Sequence, residues 1–190
     1  VDEKNRTTEA SIKDTRIIVF GTEHNAADFN MEGVEFISLK YNPLNKLFCI
    51  WWELFLASVY AKKYKADKIV YPRGFSSMLH LTKENIIVHD MIPFYYDKHY
   101  PGVFNKLENF YIMWRLKASI KHCDKVITIS QASKQDILEY THVKPEKITV
   151  INNGCNFIKP VENEKKDYFV AITSGLPHKN AEGIVKSYEA

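Results

Sequence analysis

The stretch Asn85-Ile86-Ile87-Val88-His89-Asp90-Met91-Ile92-Pro93 constrains the fold of this chain more than any other. A short run of apolar, β-branched side chains stops at a histidine–aspartate pair, and a proline then bars the strand from continuing. Apolar residues bounded by turn formers describe a strand buried on both faces, the habit of parallel sheets. In open α/β sheets ligands lie outside the carboxyl ends of the strands. His89 and Asp90 thus stand where chemistry is done; the competing reading is that they only cap a turn.

The rest of the chain repeats this grammar. Strands are expected at Arg16–Gly21, Val34–Leu39, Ala66–Tyr71, Lys125–Ser130 and Glu146–Ile151. Asn45 can cap a helix reaching about Tyr64, with a wide apolar face and Lys62, Lys63 and Lys65 at its negative end. Core packing is the favoured reading of Trp51-Trp52, over a membrane or sugar-stacking surface. Pro93 to Asn105 is expected to be an aromatic, partly basic loop containing Phe94, Tyr95, Tyr96, His99 and Tyr100. A second long helix is expected over about Lys106–His122, with Leu107, Phe110, Tyr111, Trp114 and Ala118 on one face. Ser133 is expected to cap a helix carrying Ile137 and Leu138.

Helical stretches between buried strands imply α/β architecture, a doubly wound, Rossmann-like parallel sheet. Crossover handedness then gathers His89, Ser130 and the turn Asn152-Asn153-Gly154 along one sheet edge. Residues 157–167, with a charged run from Glu162, read as a linker. Beyond it Tyr168–Ile172 is expected to be a strand, Ser174–Pro177 a turn, and a helix to start at Asn180. The division is therefore residues 1–156, a linker at 157–167, and 168–190 as the start of an incomplete second Rossmann-like domain.

Composition narrows the function. An apolar fraction of 45% and a charged fraction of 26% suit a soluble globular protein. The net charge of +3 is dispersed, so no nucleic-acid footprint is visible. Cys49, Cys123 and Cys155 show no CxxC spacing, so neither a zinc nor a dithiol site is expected, and they read as reduced thiols of a cytoplasmic protein. The apolar run Leu47–Tyr60 is interrupted by Glu53 and falls short of the roughly 20 residues a bilayer requires. Residues 1–14 are polar and aperiodic and resemble no signal peptide.

Four ordered blocks carry a family resemblance: Val88–Pro93, Ala118–Lys134, Ile148–Gly154, and Tyr168–Asn180 closing on His178-Lys179-Asn180. Together they resemble the GT-B glycosyltransferases of family 4. The resemblance implies two Rossmann-like domains across a cleft, an acceptor-side N-terminal domain and a donor-binding C-terminal one. It implies transfer with retention from a nucleotide-sugar to a glycan or lipid-linked acceptor in polysaccharide biosynthesis. No metal and no cofactor beyond the donor is implied. His89 matches the family's cleft histidine, with Asp90 beside it. Lys179 matches the diphosphate-contacting lysine near Gly175, against a solvated helix cap as the alternative. Ser130, Asn153 and Gly154 match strand-end turns facing the cleft, with plain capping equally open for Ser130. Tyr95 belongs to the aromatic segment that would wall the acceptor, against a role in pinning the long helix. Peripheral contact with a membrane surface is left open.

The chain also departs from the family. Leu176 follows Gly175 where an arginine is common, and Gly21-Thr22-Glu23-His24 lacks the paired glycines of a phosphate-approaching loop. The late acidic donor-binding motif is missing with the remainder of the C-terminal domain, so this chain alone is expected to be inactive. A non-catalytic Rossmann-like partner of a transferase is the alternative. A GT-B epimerase would need cleft carboxylates, of which only Asp90 is placed.

Overall fold

The computed structural model describes residues 15–42, 44–154 and 166–189. The polar tail 1–14, Cys155 and most of the linker expected at 157–167 lie outside the described residues. The chain falls into two units, Val1–Asn153 and Gly154–Ala190.

The first unit is parallel α/β, the Rossmann-like class expected. Strands β1 (Ile17–Gly21) and β2 (Val34–Ser38) pair in parallel, Ile17 opposite Val34 and Gly21 opposite Ser38. Strands β3 (Lys68–Tyr71), β4 (Lys83–Val88), β5 (Lys125–Thr128) and β6 (Ile148–Val150) form a second parallel sheet in the order β3-β4-β5-β6. The described strands thus form two sheets where one was expected. The helical segment between β2 and β3 touches both parts: Trp52, Tyr60 and Tyr64 pack around Phe20 of β1, and Trp52 also packs on the main core.

That segment is helix α1 (Lys46–Trp51), a π-helical stretch (Trp52–Leu56) and helix α2 (Ala57–Lys63). Asn45 caps it as expected, accepting from the Phe48 N–H at 3.1 Å. The π stretch was not foreseen. Its wider turn leaves the Leu54 carbonyl to accept from Ser77 Oγ and Met78 N–H, both at 2.8 Å. Trp51 corrects the core reading of the tryptophan pair: it is 58% exposed against Phe55, while Trp52 is partly buried.

After β4 comes a helix where a loop was expected, α3 (Ile92–His99). Asp90 Oδ1 accepts from the Ile92 N–H at 3.1 Å, and Pro93 in the first turn lacks a donor where none is needed. Phe94 and Tyr96 are buried on it, whereas Tyr95 stays exposed. Helix α4 (Lys106–His122) has the expected ends and an Asn105 cap. Its aromatic face, however, points outward: Leu107, Phe110, Tyr111 and Trp114 are exposed. The inward side carries Asn109, Leu116, Ser119 and Ile120, which pack in the core or hydrogen-bond to the loop after β3 and the first turn of α3. Helix α5 (Gln131–Thr141) is capped by Ser130, not Ser133, because Ser130 Oγ accepts from the Ser133 N–H at 3.0 Å.

The main core joins Ile86 and Val88 of β4, Val126 of β5, Ile148 of β6, Leu116 and Ile120 of α4, Ile137 of α5 and Cys123. In the second unit the strand expected at Tyr168–Ile172 is absent, since no described segment pairs with it. A 3-10 turn (Pro177–Lys179) and helix α6 (Ala181–Glu189) follow.

The orientation of α4 is open to test. Ile120→Ala should cost about 2–5 kcal/mol of unfolding free energy, whereas Leu107→Ala should change it by less than about 0.5 kcal/mol, both measured in urea. Equal costs would contradict an outward aromatic face.

Burial pushes the Cys123 thiol from 9.0 up to about 11, with nearby Lys147 acting the other way. The folded state therefore keeps a proton that the unfolded chain releases near pH 9. This contribution is intact below pH 9 and lost as the pH climbs towards 11. Urea titrations across that range should show a loss of about 2 kcal/mol that Cys123→Ala removes.

Candidate functional site

The site is built at the carboxyl ends of three neighbouring strands. Register places Val88 of β4 beside Thr128 of β5, and Thr128 beside Val150 of β6. The residues that follow, His89-Asp90, Ile129-Ser130 and Ile151–Asn153, therefore leave the sheet side by side. This juxtaposition comes from strand pairing alone, because parallel strands with helical crossovers end on one edge.

Each exit is fixed by side-chain hydrogen bonds to backbone. The buried Thr128 hydroxyl donates to the Val88 carbonyl at 2.7 Å. Ser133 Oγ donates to the His89 carbonyl at 2.8 Å and receives a hydrogen bond from Ser130 Oγ at 3.0 Å. Asn152 Nδ2 donates to the Ile129 carbonyl at 3.0 Å. A carbonyl beyond the last ladder bond would otherwise be unpaired, and a buried unpaired carbonyl costs about 1–3 kcal/mol.

The His89 ring is held from the other side. Its Nε2 lies 3.2 Å from the Pro72 carbonyl. A carbonyl only accepts, so Nε2 carries the hydrogen and the neutral ring presents Nδ1 as an acceptor. Pro72 begins the segment joining β3 to β4, which is clamped in turn. The buried Arg115 guanidinium donates to the Ser76 carbonyl at 2.8 Å, and Ser119 Oγ accepts from the Ser76 N–H at 2.9 Å. Gly74 adopts φ +79° with Leu116 3.1 Å from where a Cβ would stand, so a side chain there is disfavoured twice.

Charge around the edge is mixed. Asp90 is exposed and spends Oδ1 on the Ile92 N–H. Partial burial first, then Glu139 and Asp90, raise the Asp136 carboxyl on α5 above its ordinary value. The exposed Arg73 lies 3.6 Å from Glu53. At the opposite end of the sheet Glu84 is buried, accepting from the Tyr71 hydroxyl at 3.2 Å and lying 2.6 Å from His80 Nδ1. Burial and then the Glu84 charge push the Tyr71 phenol upward. Among the described residues no cluster of His, Cys, Asp and Glu is arranged to hold a metal.

Of the residues singled out in the sequence, His89, Asp90, Ser130 and Asn153 come together on this edge. Tyr95 lies on α3, tilted against His99 with ring centroids 4.5 Å apart. Gly154, Gly175 and Lys179 belong to the second unit. Lys179 is exposed at the end of the 3-10 turn, and a Cβ at Gly154 or Gly175 would meet nothing within 4 Å. Sequence reasoning missed three supports, namely Pro72 as the acceptor for His89, Ser133 as the tie to its carbonyl, and Asn152. A main-chain carbonyl such as that of Pro72 leaves no mark in the sequence.

In parallel α/β units of this kind ligands bind outside the carboxyl ends of the strands, where His89 stands. The profile of Glycosyltransferase Family 4 matches residues 13–157, and the chain belongs to that family. It is also 38% identical over 110 residues to the O-antigen chain mannosyltransferase RfbU of Salmonella typhimurium. That alignment covers 56% of this chain and 29% of the relative, so the matched stretch is under a third of that protein's length.

The ties around His89 make unequal predictions. Ser133→Ala should cost about 1–2 kcal/mol because it strands the His89 carbonyl; Ser130→Ala should cost about 1 kcal/mol as a lost cap. Urea denaturation of both variants checks this, and a neutral Ser133→Ala would refute the tie.

Proposed function

We propose that this chain is the acceptor-side part of a retaining glycosyltransferase that moves a sugar from a nucleotide-sugar to a glycan or lipid-linked acceptor in polysaccharide assembly. The observation that carries the reading is the convergence of His89, Ser130 and Asn153 at adjacent strand ends in a chain of family 4. The name of its relative makes O-antigen synthesis the first setting to consider and mannose the first sugar to try.

In this reading residues 1–156 receive the acceptor, 157–167 are the linker, and 168–190 begin the donor-binding domain. The oriented His89 ring offers Nδ1 to a hydroxyl of the reacting sugars, which positions them without forming a covalent bond. Lys179, a compact cation, neutralises the leaving diphosphate, with Gly175 permitting close approach of the backbone. Tyr95 offers an aromatic face to a sugar ring or lipid carrier. Neither a metal nor a further cofactor is invoked, and the reaction belongs at the cytoplasmic side of a membrane.

His89→Ala in the complete enzyme should lower kcat by about 10²-fold or more, with stability changed by less than about 1 kcal/mol. Turnover on UDP- and GDP-sugars, mannose donors first, together with urea denaturation, reads both quantities. Unchanged turnover would remove His89 from the site. Donor binding with no transfer to any acceptor would favour the non-catalytic partner.

A further inference from the structure

The backbone of Arg73 is fixed at the His89 edge by contacts on both sides of it. Before it, the Pro72 carbonyl, which shares a peptide unit with the Arg73 N–H, lies 3.2 Å from His89 Nε2. After it, Gly74 lies against the end of β4, where a Cβ would stand 3.6 Å from the Ile87 carbonyl oxygen and from Val88 Cγ2. The parallel register agrees. Tyr71 pairs with Ile86, so the residues after β3 leave the sheet alongside Ile87, Val88 and His89. The rest of the segment is tied down at Ser76 by Arg115 and Ser119, and at Ser77 and Met78 by the Leu54 carbonyl. The guanidinium therefore hangs from a fixed Cα, one residue past the carbonyl that orients the histidine.

The side chain itself is only loosely engaged. It is 78% exposed, and the carboxylate of Glu53 on the π stretch lies 3.6 Å away, beyond hydrogen-bond range. An exposed pair of this kind contributes little to stability, so it is easily exchanged for a better one. The planar fork of arginine fits a carboxylate or a phosphate two oxygens at a time. Other charges along the edge are acidic. Asp90 is exposed there, and the Asp136 carboxyl feels both Glu139 and Asp90. An anionic substrate would be repelled by these carboxylates, which leaves the charge of Arg73 to decide whether the edge admits one.

We propose that Arg73 binds an oxyanion, a carboxylate or a phosphate, carried by the acceptor, so that the acceptor is an anionic molecule held beside His89. This rests on the acceptor-side reading above and specifies the charge of the substrate at that site. Glu53 is the placeholder whose carboxylate the substrate's oxyanion replaces.

NMR titration of the full chain with pyrophosphate, glucuronate and methyl glucoside tests the proposal without donor or transfer. The Arg73 Nε–H signal and the His89 ring signals report binding at this edge alone. At least one of the two anions should bind about tenfold or more tightly than the neutral methyl glucoside. The tighter anion tells whether the acceptor's oxyanion is a phosphate or a carboxylate. Arg73→Gln should weaken that anion about tenfold or more. Arg73→Lys should weaken it less, because the charge stays and only the fork is lost. Glu53→Gln should tighten it about threefold or more, since the competing carboxylate is gone. Opposite signs for Arg73→Gln and Glu53→Gln separate a ligand site from a structural pair, which would suffer alike from the loss of either partner. Circular dichroism and urea curves of these surface variants verify that they fold. No response of the edge to either anion, equal binding of the neutral sugar, full affinity in Arg73→Gln, or weaker binding in Glu53→Gln each overturns the proposal. The probes report binding without turnover, so the anion site can stand where His89→Ala leaves transfer unchanged, and the two readings fail separately.

Discussion

The segment between β3 and β4 is the constraint on which the site depends. It joins two adjacent parallel strands without the crossover helix that such strands ordinarily use. An irregular connection has no ladder of its own, so its backbone groups need partners from outside. Here they come from both neighbouring helices. The π stretch releases the Leu54 carbonyl to Ser77 and Met78, Ser58 Oγ accepts from the Leu81 N–H at 3.0 Å, and α4 supplies Arg115 and Ser119 to Ser76. Only because that segment is immobilised does the Pro72 carbonyl stand where the His89 ring can use it. An imidazole on a free loop would lose its orientation, and orientation is most of what a positioning histidine contributes.

The same logic explains why polar residues sit deep in α4 and at strand ends. Arg115, Asn109, Ser119 and Thr128 are all buried, and each is hydrogen-bonded to backbone or sulfur. Burying an unpaired polar group costs about twice what a made hydrogen bond returns, so such residues persist where backbone would otherwise be orphaned. They define the exits of β3, β4 and β5, and thereby the edge that carries His89. Family membership says what kind of chemistry such an edge serves; the buried hydrogen bonds say why this one has a defined shape.

Much of the frame could be read in the chain. The apolar runs ending in His-Asp, Ser and Asn-Asn-Gly mark β4, β5 and β6, and α4 has the boundaries expected of it. What failed has identifiable causes. Pro93 reads equally as a loop former and as a first-turn helix residue, and Asp90 accepting from the Ile92 N–H decided between them. Ser130 and Ser133 are both good caps, and the choice follows from where β5 ends. Tyr168–Ile172 has strand composition, but a strand exists only with a partner to pair with, which composition does not supply. At the site, His89 was legible because it is a side chain at a strand end. Its supports were not, since two of them act through the main-chain carbonyls of Pro72 and His89 itself.

The orientation of α4 is the most instructive feature that periodicity left undecided. Periodicity identifies a row of large apolar residues, and on a helix of a globular domain that row ordinarily packs inward. The helix instead buries its mixed side, with Leu116 and Ile120 filling the core while Arg115, Ser119 and Asn109 meet the backbone of its neighbours. The irregular segment after β3 requires this, because an all-apolar face against it would leave the Ser76 amide and carbonyl unpaired. Turning the polar groups inward necessarily turns the aromatic row outward. The demand that fixes the segment holding His89 is thus the same demand that exposes Phe110 and Trp114, so the oriented histidine and the outward aromatic row follow from one packing choice.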